Sequence, residues 1–231
     1  MPTADQQLLG DIRGALATAA DPAKAGPMQA YMKSPMPFRG VQKPARVTVL
    51  RPVLRRHVLP DRESWEATIR ALWDGADFRE ERYAAIDVAR HGAYAKWATD
   101  ERSIDLYDHL IVTGAWWDYV DDVAIRLVGA TLRAHRTAIT PTILCWARDP
   151  DRWRRRAAVI CQVGARDHTD TALLTACIRD NACDADFFLR KGIGWALREH
   201  AKTNPDWVRS FVATHRDRLS PLSIREATRH L

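Results

Sequence analysis

Apolar residues recur along the chain at intervals of three and four. Leu8, Leu9, Ile12 and Leu16 fall on one stripe and predict a first helix over residues 3–20. Asp21-Pro22 starts the next segment, which Tyr31-Met32-Lys33-Ser34 ends. Pro35 and Pro37 stop any helix there, so Met36–Val41 is read as a turn in which Gly40 is free to take a positive φ. After Pro44, Val47, Leu50, Val53 and Leu54 again show helical spacing. Asp61 has the position of an N-cap before Trp65, Ile69, Leu72 and Trp73, and Gly75 closes that helix. Further helices are predicted over 78–96, 103–112, about 116–135, 141–147, 153–163, 167–180 and 184–202. Asn204-Pro205 and Ser220-Pro221 introduce two more. No segment sustains the alternation of a strand. The rhythm of helix, short turn and helix has a unit of roughly 35–40 residues, the coarse period of HEAT-like pairs. It predicts an all-α chain of stacked antiparallel helix pairs, one domain over 1–231, undivided by a Gly/Ser linker.

Within that frame, Trp116-Trp117-Asp118-Tyr119-Val120-Asp121 is the most unusual hexamer. On a helix, Trp117 and Asp121 are four apart and share a face. Trp116, Val120, Val123 and Leu127 make the neighbouring, core-facing stripe. A second notable stretch is Trp153-Arg154-Arg155-Arg156, whose three arginines point around more than half of a helix. At least one of them is expected to face whatever the molecule binds. In a third, Phe187 to Glu199, Gly192 and Gly194 lie inside a helical pattern at a cost of roughly 1 kcal/mol each against Ala. That cost implies the close approach of another helix or a ligand. Lys191, Trp195 and Arg198 fall at i, i+4 and i+7 of the same helix, giving a face of cation, indole and cation.

Charge sharpens the picture. The 231 residues carry a net +6, and 29 of the 35 basic residues are Arg, the side chain best suited to bidentate phosphate recognition. Nucleic acid is therefore a candidate partner. Cys145, Cys161, Cys177 and Cys183 form no C-x-x-C pair and read as buried free thiols of a reducing cytosol. The eight histidines are scattered without ligand spacing, so no metal and no cofactor is assigned. A Gly-rich phosphate loop and a G-x-S-x-G elbow are both missing from the sequence. It also lacks a signal peptide and an apolar run long enough for a membrane span.

Taken together, the chain resembles the AlkD-like DNA alkylation repair glycosylases over nearly its whole length. The resemblance rests on Tyr31-Met32-Lys33, Met36 to Val41, Arg79-Glu80-x-Arg82-Tyr83-Ala84, Trp117 to Asp121, Trp153 to Ala157, Phe187 to Glu199 and Leu219 to Ala227. It implies an all-α HEAT-like repeat solenoid with a concave basic DNA-binding groove. The implied activity is excision of cationic N3- and N7-alkylpurines, such as 3-methyladenine and 7-methylguanine, with the lesion left in the stack. By position, Asp121 matches the catalytic carboxylate, Trp117 and Trp195 the two cleft tryptophans, and Arg156 the cleft arginine. Tyr31 lies where the family has an aromatic near the lesion strand, and Arg156, Lys191 and Arg198 are expected on phosphates. The implied partner is double-stranded DNA containing alkylated bases, bound by a monomer in a bacterial cytoplasm and not at a membrane. The competing readings are a non-catalytic DNA-binding solenoid for distorted or branched DNA and a protein-binding HEAT scaffold.

Overall fold

The structure, a computed structural model, describes residues 3–231. It is all-α, and among the described residues no strand forms. The chain divides into two compact units, Met1–Ala98 and Thr99–Leu231.

The first unit contains α1 (Gln6–Thr18), α2 (Pro22–Met32), α3 (Lys43–Arg56), α4 (Arg62–Asp74), α5 (Arg79–Ala89) and the short α6 (Ala95–Ala98). Helix starts follow the expected chemistry. Asp5, Asp21 and Asp61 each accept a hydrogen bond from an otherwise orphaned backbone N–H of the first turn. The predicted stripes are buried: Leu8, Ile12 and Leu16 of α1 meet Leu50 of α3 and Trp65, Ile69, Leu72 and Trp73 of α4 in one core. The helix expected over 78–96 is shorter, because α5 ends at Ala89 and a 3₁₀ turn, Gly92–Tyr94, follows.

The turn between α2 and α3 is held by two buried carboxylates. Glu80 accepts the backbone N–H groups of Arg39, Gly40 and Val41 at 3.0, 2.9 and 3.0 Å. Its neighbour Glu81 pairs with Arg13 and Arg39 at 3.1 and 3.2 Å. Both are fully buried. Three N–H donors on one carboxylate satisfy loop groups that would otherwise be stranded away from water. Gly40 has φ +84°, and a Cβ there would lie 2.0 Å from the Asp21 carbonyl oxygen. The turn therefore requires glycine twice over, by dihedral and by space.

The second unit contains α7 (Ile104–Gly114), α8 (Trp117–Val123), α9 (Gly129–Ala134), α10 (Arg136–Trp146), α11 (Arg152–Ile160), α12 (Thr171–Asn181), α13 (Phe187–Ala201), α14 (Pro205–Thr214) and α15 (Pro221–Ala227). Helices α8 and α9 are one continuous rod joined by a π-helical turn, Ala124–Val128. The rod matches the helix expected over 116–135, with Val120, Val123 and Leu127 buried as predicted. Trp116 departs from the expectation. Its backbone is extended (φ −150°, ψ 145°), so it caps the helix instead of joining the buried stripe. It packs against Trp153 and Phe188, with ring centroids 6.1 and 5.6 Å apart.

Helix α11 is the hub of this unit and packs against α7, α8, α10, α12 and α13. Both glycines of α13 sit at close approaches, as their sequence cost implied. A Cβ on Gly194 would meet the Glu226 Cβ of α15 at 2.5 Å, and one on Gly192 would meet Arg156 Nη1 of α11 at 3.2 Å.

Two glycine substitutions separate these effects. Gly40→Ala is expected to cost about 2–4 kcal/mol through strain and overlap with Asp21. Gly10→Ala, in the middle of α1 with nothing within 4 Å of the new Cβ, is expected to stabilise by up to about 1 kcal/mol. Urea unfolding midpoints of the two variants read both signs.

Candidate active site

Asp121 is the fifth residue of α8, one turn after Trp117, so the two share a helix face as the spacing required. Its carboxylate meets the guanidinium of Arg156 in a two-pronged contact. Arg156 Nε donates to Oδ1 at 2.7 Å and Nη2 donates to Oδ2 at 2.8 Å. The third arginine nitrogen, Nη1, donates to the carbonyl oxygen of Phe188 on α13. Gly192, one turn further along α13, leaves room for the guanidinium to lie against that helix. Three helices thus converge on one ion pair: α8 gives the acid, α11 the base and α13 the carbonyl.

The pair is buried. The Arg156 side chain is 6% exposed and that of Asp121 13%. Burial is the larger influence on Asp121 and raises its pKa above the usual carboxylate value. The Arg156 fork and its charge pull the other way, and the charges of Asp118 and Asp122 add to the rise. The carboxylate is therefore held ionised by one partner in surroundings that favour its neutral form. A π-helical turn starts three residues after Asp121, and such turns are frequent at functional sites.

The remaining residues singled out from sequence fall as follows. Trp117 and Trp195 are both half-buried, on α8 and α13. Tyr31 is 77% exposed on α2 of the first unit. The three consecutive arginines do not present a free cation to solvent, contrary to the expectation that one of them faces a ligand. Arg154 makes a bidentate contact with Asp108 at 2.7 and 2.6 Å, which pushes its pKa above the usual arginine range. Arg155 pairs with Asp184 at 3.1 Å, and Arg156 with Asp121. Lys191 and Arg198 both bond Glu226 of α15, and burial is outweighed there by the two cations, which lower the Glu226 pKa. The helical face read as cation, indole and cation is real, but Glu226, one residue before the end of α15, completes it.

Three features were missed from sequence. Glu226 was not singled out as the partner of Lys191 and Arg198. Asp108 and Asp184 anchor the arginine run from about 45 and 30 residues away. Such distant partners leave no local spacing signal. The aromatic cluster of Trp116, Trp153, Phe187 and Phe188, roofed by Arg152 at 5.0 Å from the Trp153 ring, was also unread. Of the cysteines, Cys161 and Cys177 are buried and Cys145 and Cys183 exposed, so the expectation of buried thiols holds for two of four. Burial pushes the Cys161 thiol up to about 12, which makes it a poor nucleophile. Among the described residues, no group of three or more His, Cys, Asp or Glu could hold a metal ion, and no helix is long and apolar enough to cross a membrane.

An all-α chain with a buried acid–arginine pair joining three helices defines a class of helical proteins with a spare carboxylate site. Its particular membership follows from comparison with known proteins. Residues 12–231 match the family described as DNA alkylation repair enzyme, and the chain belongs to that family. A solved structure described as "Predicted DNA alkylation repair enzyme from Enterococcus faecalis" is 31% identical, with a TM-score of 0.82 over 92% of this chain and 96% of that one. No curated protein matches.

The balance at Asp121 can be measured directly. Carboxyl ¹³C NMR across a pH titration is expected to place the Asp121 midpoint above the ordinary value of about 3.9. In Arg156→Gln, where the cation that bonds the carboxylate is gone, the midpoint rises further. A native midpoint at or below the ordinary value contradicts the account of burial given above.

Proposed function

We propose that the protein is a DNA glycosylase that releases cationic N3- and N7-alkylated purines from duplex DNA. The observation that carries the reading is the Asp121 carboxylate, fixed by Arg156 in a poorly solvated position one helical turn from Trp117. An N3- or N7-alkylpurine already bears positive charge. When its N-glycosidic bond breaks, the bonding pair goes to the base nitrogen and neutralises it, so no acid has to protonate the leaving group. The sugar is left with oxocarbenium character at C1′. A fixed carboxylate near that carbon stabilises the developing charge, and water adds to C1′ as its proton passes to Asp121 or solvent. Indole faces are negative, and Trp117 and Trp195 favour a cation between or against them.

Roles follow for the other residues. Arg156 is a positioning residue: three of its nitrogens are committed inside the protein, so it orients and ionises Asp121 and is not a phosphate ligand. Tyr31, exposed and aromatic, is assigned to the DNA strand. Lys191 and Arg198 are given a secondary part at phosphates, since Glu226 competes for them. The protein is read as a cytoplasmic monomer acting in base excision repair.

One observation favours a second reading. A buried bidentate ion pair that joins three helices is also what a purely structural contact looks like, and a DNA-binding protein without catalysis would need it for that reason alone. Asp121→Asn separates the two. It keeps the shape and removes the charge. Under the first reading, 7-methylguanine release from methylated duplex falls by roughly 10²-fold or more, while duplex affinity changes little. Excision at the parent rate in a folded variant sinks the assignment. Trp117→Ala and Trp195→Ala are expected to slow release as well, whereas Trp73→Ala, deep in the core of the first unit, acts only through stability.

The same mechanism sets substrate range and pH response. With no proton donor assigned, neutral lesions such as uracil, hypoxanthine and ethenoadenine are expected to stay in place on a panel of single-lesion duplexes. Efficient uracil release would require a general acid and overturn the mechanism. Activity needs ionised Asp121, so the rate is expected to rise with pH through the raised Asp121 midpoint. Stability runs the opposite way in that window. The folded state holds the Asp121 proton more tightly than the unfolded chain, so its contribution, full below the unfolded midpoint, is lost as pH rises through the folded one.

A further inference from the structure

The cations first read as facing DNA are largely neutralised by the protein itself, and yet the chain carries a net +6. The excess has a definite address. Between Asp21 and Asp61 lie 39 residues with no Asp or Glu and eight cations: Lys24, Lys33, Arg39, Lys43, Arg46, Arg51, Arg55 and Arg56. Outside that segment, 27 basic and 29 acidic residues remain, a net of −2. The segment spans α2, the clamped turn and α3, all within the first unit.

Four of the eight cations are answered from outside the segment. Lys24 pairs with Asp21, Arg39 with Glu81, Arg46 with Asp87 and Arg56 with Asp11. The other four, Lys33, Lys43, Arg51 and Arg55, are exposed and have no ion pair among the described residues. Three of these lie on α3 with Val47, itself 40% exposed, at a spacing of i, i+4, i+8 and i+12. They form a stripe about 18 Å long that winds over roughly a third of the helix. The adjoining face of α3, with Leu50, Val53 and Leu54, is buried. Acids on the helices packed against it, α1 and α5, are engaged with other partners: Asp11 bonds His57 and Arg56, and Asp87 bonds Arg46.

We infer that the α2–α3 segment, through Lys43, Arg51 and Arg55, is the surface of the first unit that binds the phosphate backbone of duplex DNA. The inference rests on the reading of DNA as partner and adds where its electrostatic affinity is generated. A rigid helix carrying unpaired guanidinium groups suits phosphates on both charge and geometry. Tyr31, at the end of α2 beside Lys33, places an exposed aromatic in the same acid-free segment, the combination that favours nucleic acid over a featureless polyanion. The clamp of Glu80 and Gly40 fixes the turn that joins α2 to α3, so this surface is built in advance of binding.

The test is the salt dependence of binding to an unmodified duplex. Each phosphate contact contributes about 0.9 to the slope of log K against log salt. The triple variant Lys43→Gln/Arg51→Gln/Arg55→Gln, all at exposed positions, is expected to lose about 2.7 from that slope and to bind at least about tenfold more weakly at 0.1 M salt. A charge-matched control, Arg179→Gln/Lys202→Gln/Arg216→Gln, exposed positions of the second unit, is expected to keep its slope. Equal slope losses in both triples would mean that net charge alone acts, and would overturn the inference. So would a triple variant that binds duplex as the parent does but loses binding to vesicles containing phosphatidylserine. The glycosylase reading is judged separately, by base release from methylated duplex. Excision with an unchanged slope removes this inference alone, and a changed slope without excision by the parent removes only the catalytic reading.

Discussion

Asp121 and Arg156 oppose two large effects in one place. Moving a carboxylate out of water raises its pKa, and a guanidinium fork with both prongs under 3 Å lowers it. The position of Asp121 therefore depends on the exact seating of Arg156, and that seating depends on its neighbours. Trp117 begins the helix that carries the acid. Gly192 lets the guanidinium lie against α13, and the Phe188 carbonyl takes its third nitrogen. Enlarging Gly192 or turning Arg156 into lysine would leave every helix in place and still misdirect the acid. A lysine offers a point charge without a fork.

The same helix shows how a run of like charges is made harmless. Arg154, Arg155 and Arg156 leave α11 in three directions, and each reaches an acid on a different part of the second unit: Asp108 on α7, Asp184 before α13 and Asp121 on α8. Hubs of this kind trade long side chains for contacts between elements that are far apart in sequence. Each pair taken alone is worth little where it is solvated. Together they fix the angles at which α7, α8 and α13 meet α11, which is what a site assembled from three helices needs.

How much of this the sequence discloses depends on the range of the interaction. Local chemistry is legible. Asp61 caps a helix, Gly40 takes a positive φ, and the glycines of α13 mark close approaches, because each follows from the residue and its immediate neighbours. The i, i+4 relation of Trp117 and Asp121 is legible for the same reason. Trp116 was misplaced because a helix start is uncertain by a residue or two, and one residue decides whether an indole joins a stripe or caps it. Partners of the arginines were not legible, since an acid 28 to 46 residues away leaves no periodic trace. An unpartnered arginine run in sequence then reads as a ligand face when it is an internal brace.

That error has a physical corollary. Once the ion pairs of the second unit are drawn, its conspicuous cations supply little free charge, and the excess of the chain falls on α2 and α3, where no acid occurs for 39 residues. Chemistry and charge are thereby allotted to different residues. A buried acid cannot sit amid unpaired cations without its pKa being driven down and its field spent on them, whereas a phosphate-binding stripe works best where nothing answers it. Arg154 and Arg155 are paired with carboxylates of their own, and Arg156 is the cation that reaches Asp121. Separating the two tasks lets the site keep a carboxylate poised by burial while the molecule still presents an unscreened basic helix to a polyanion.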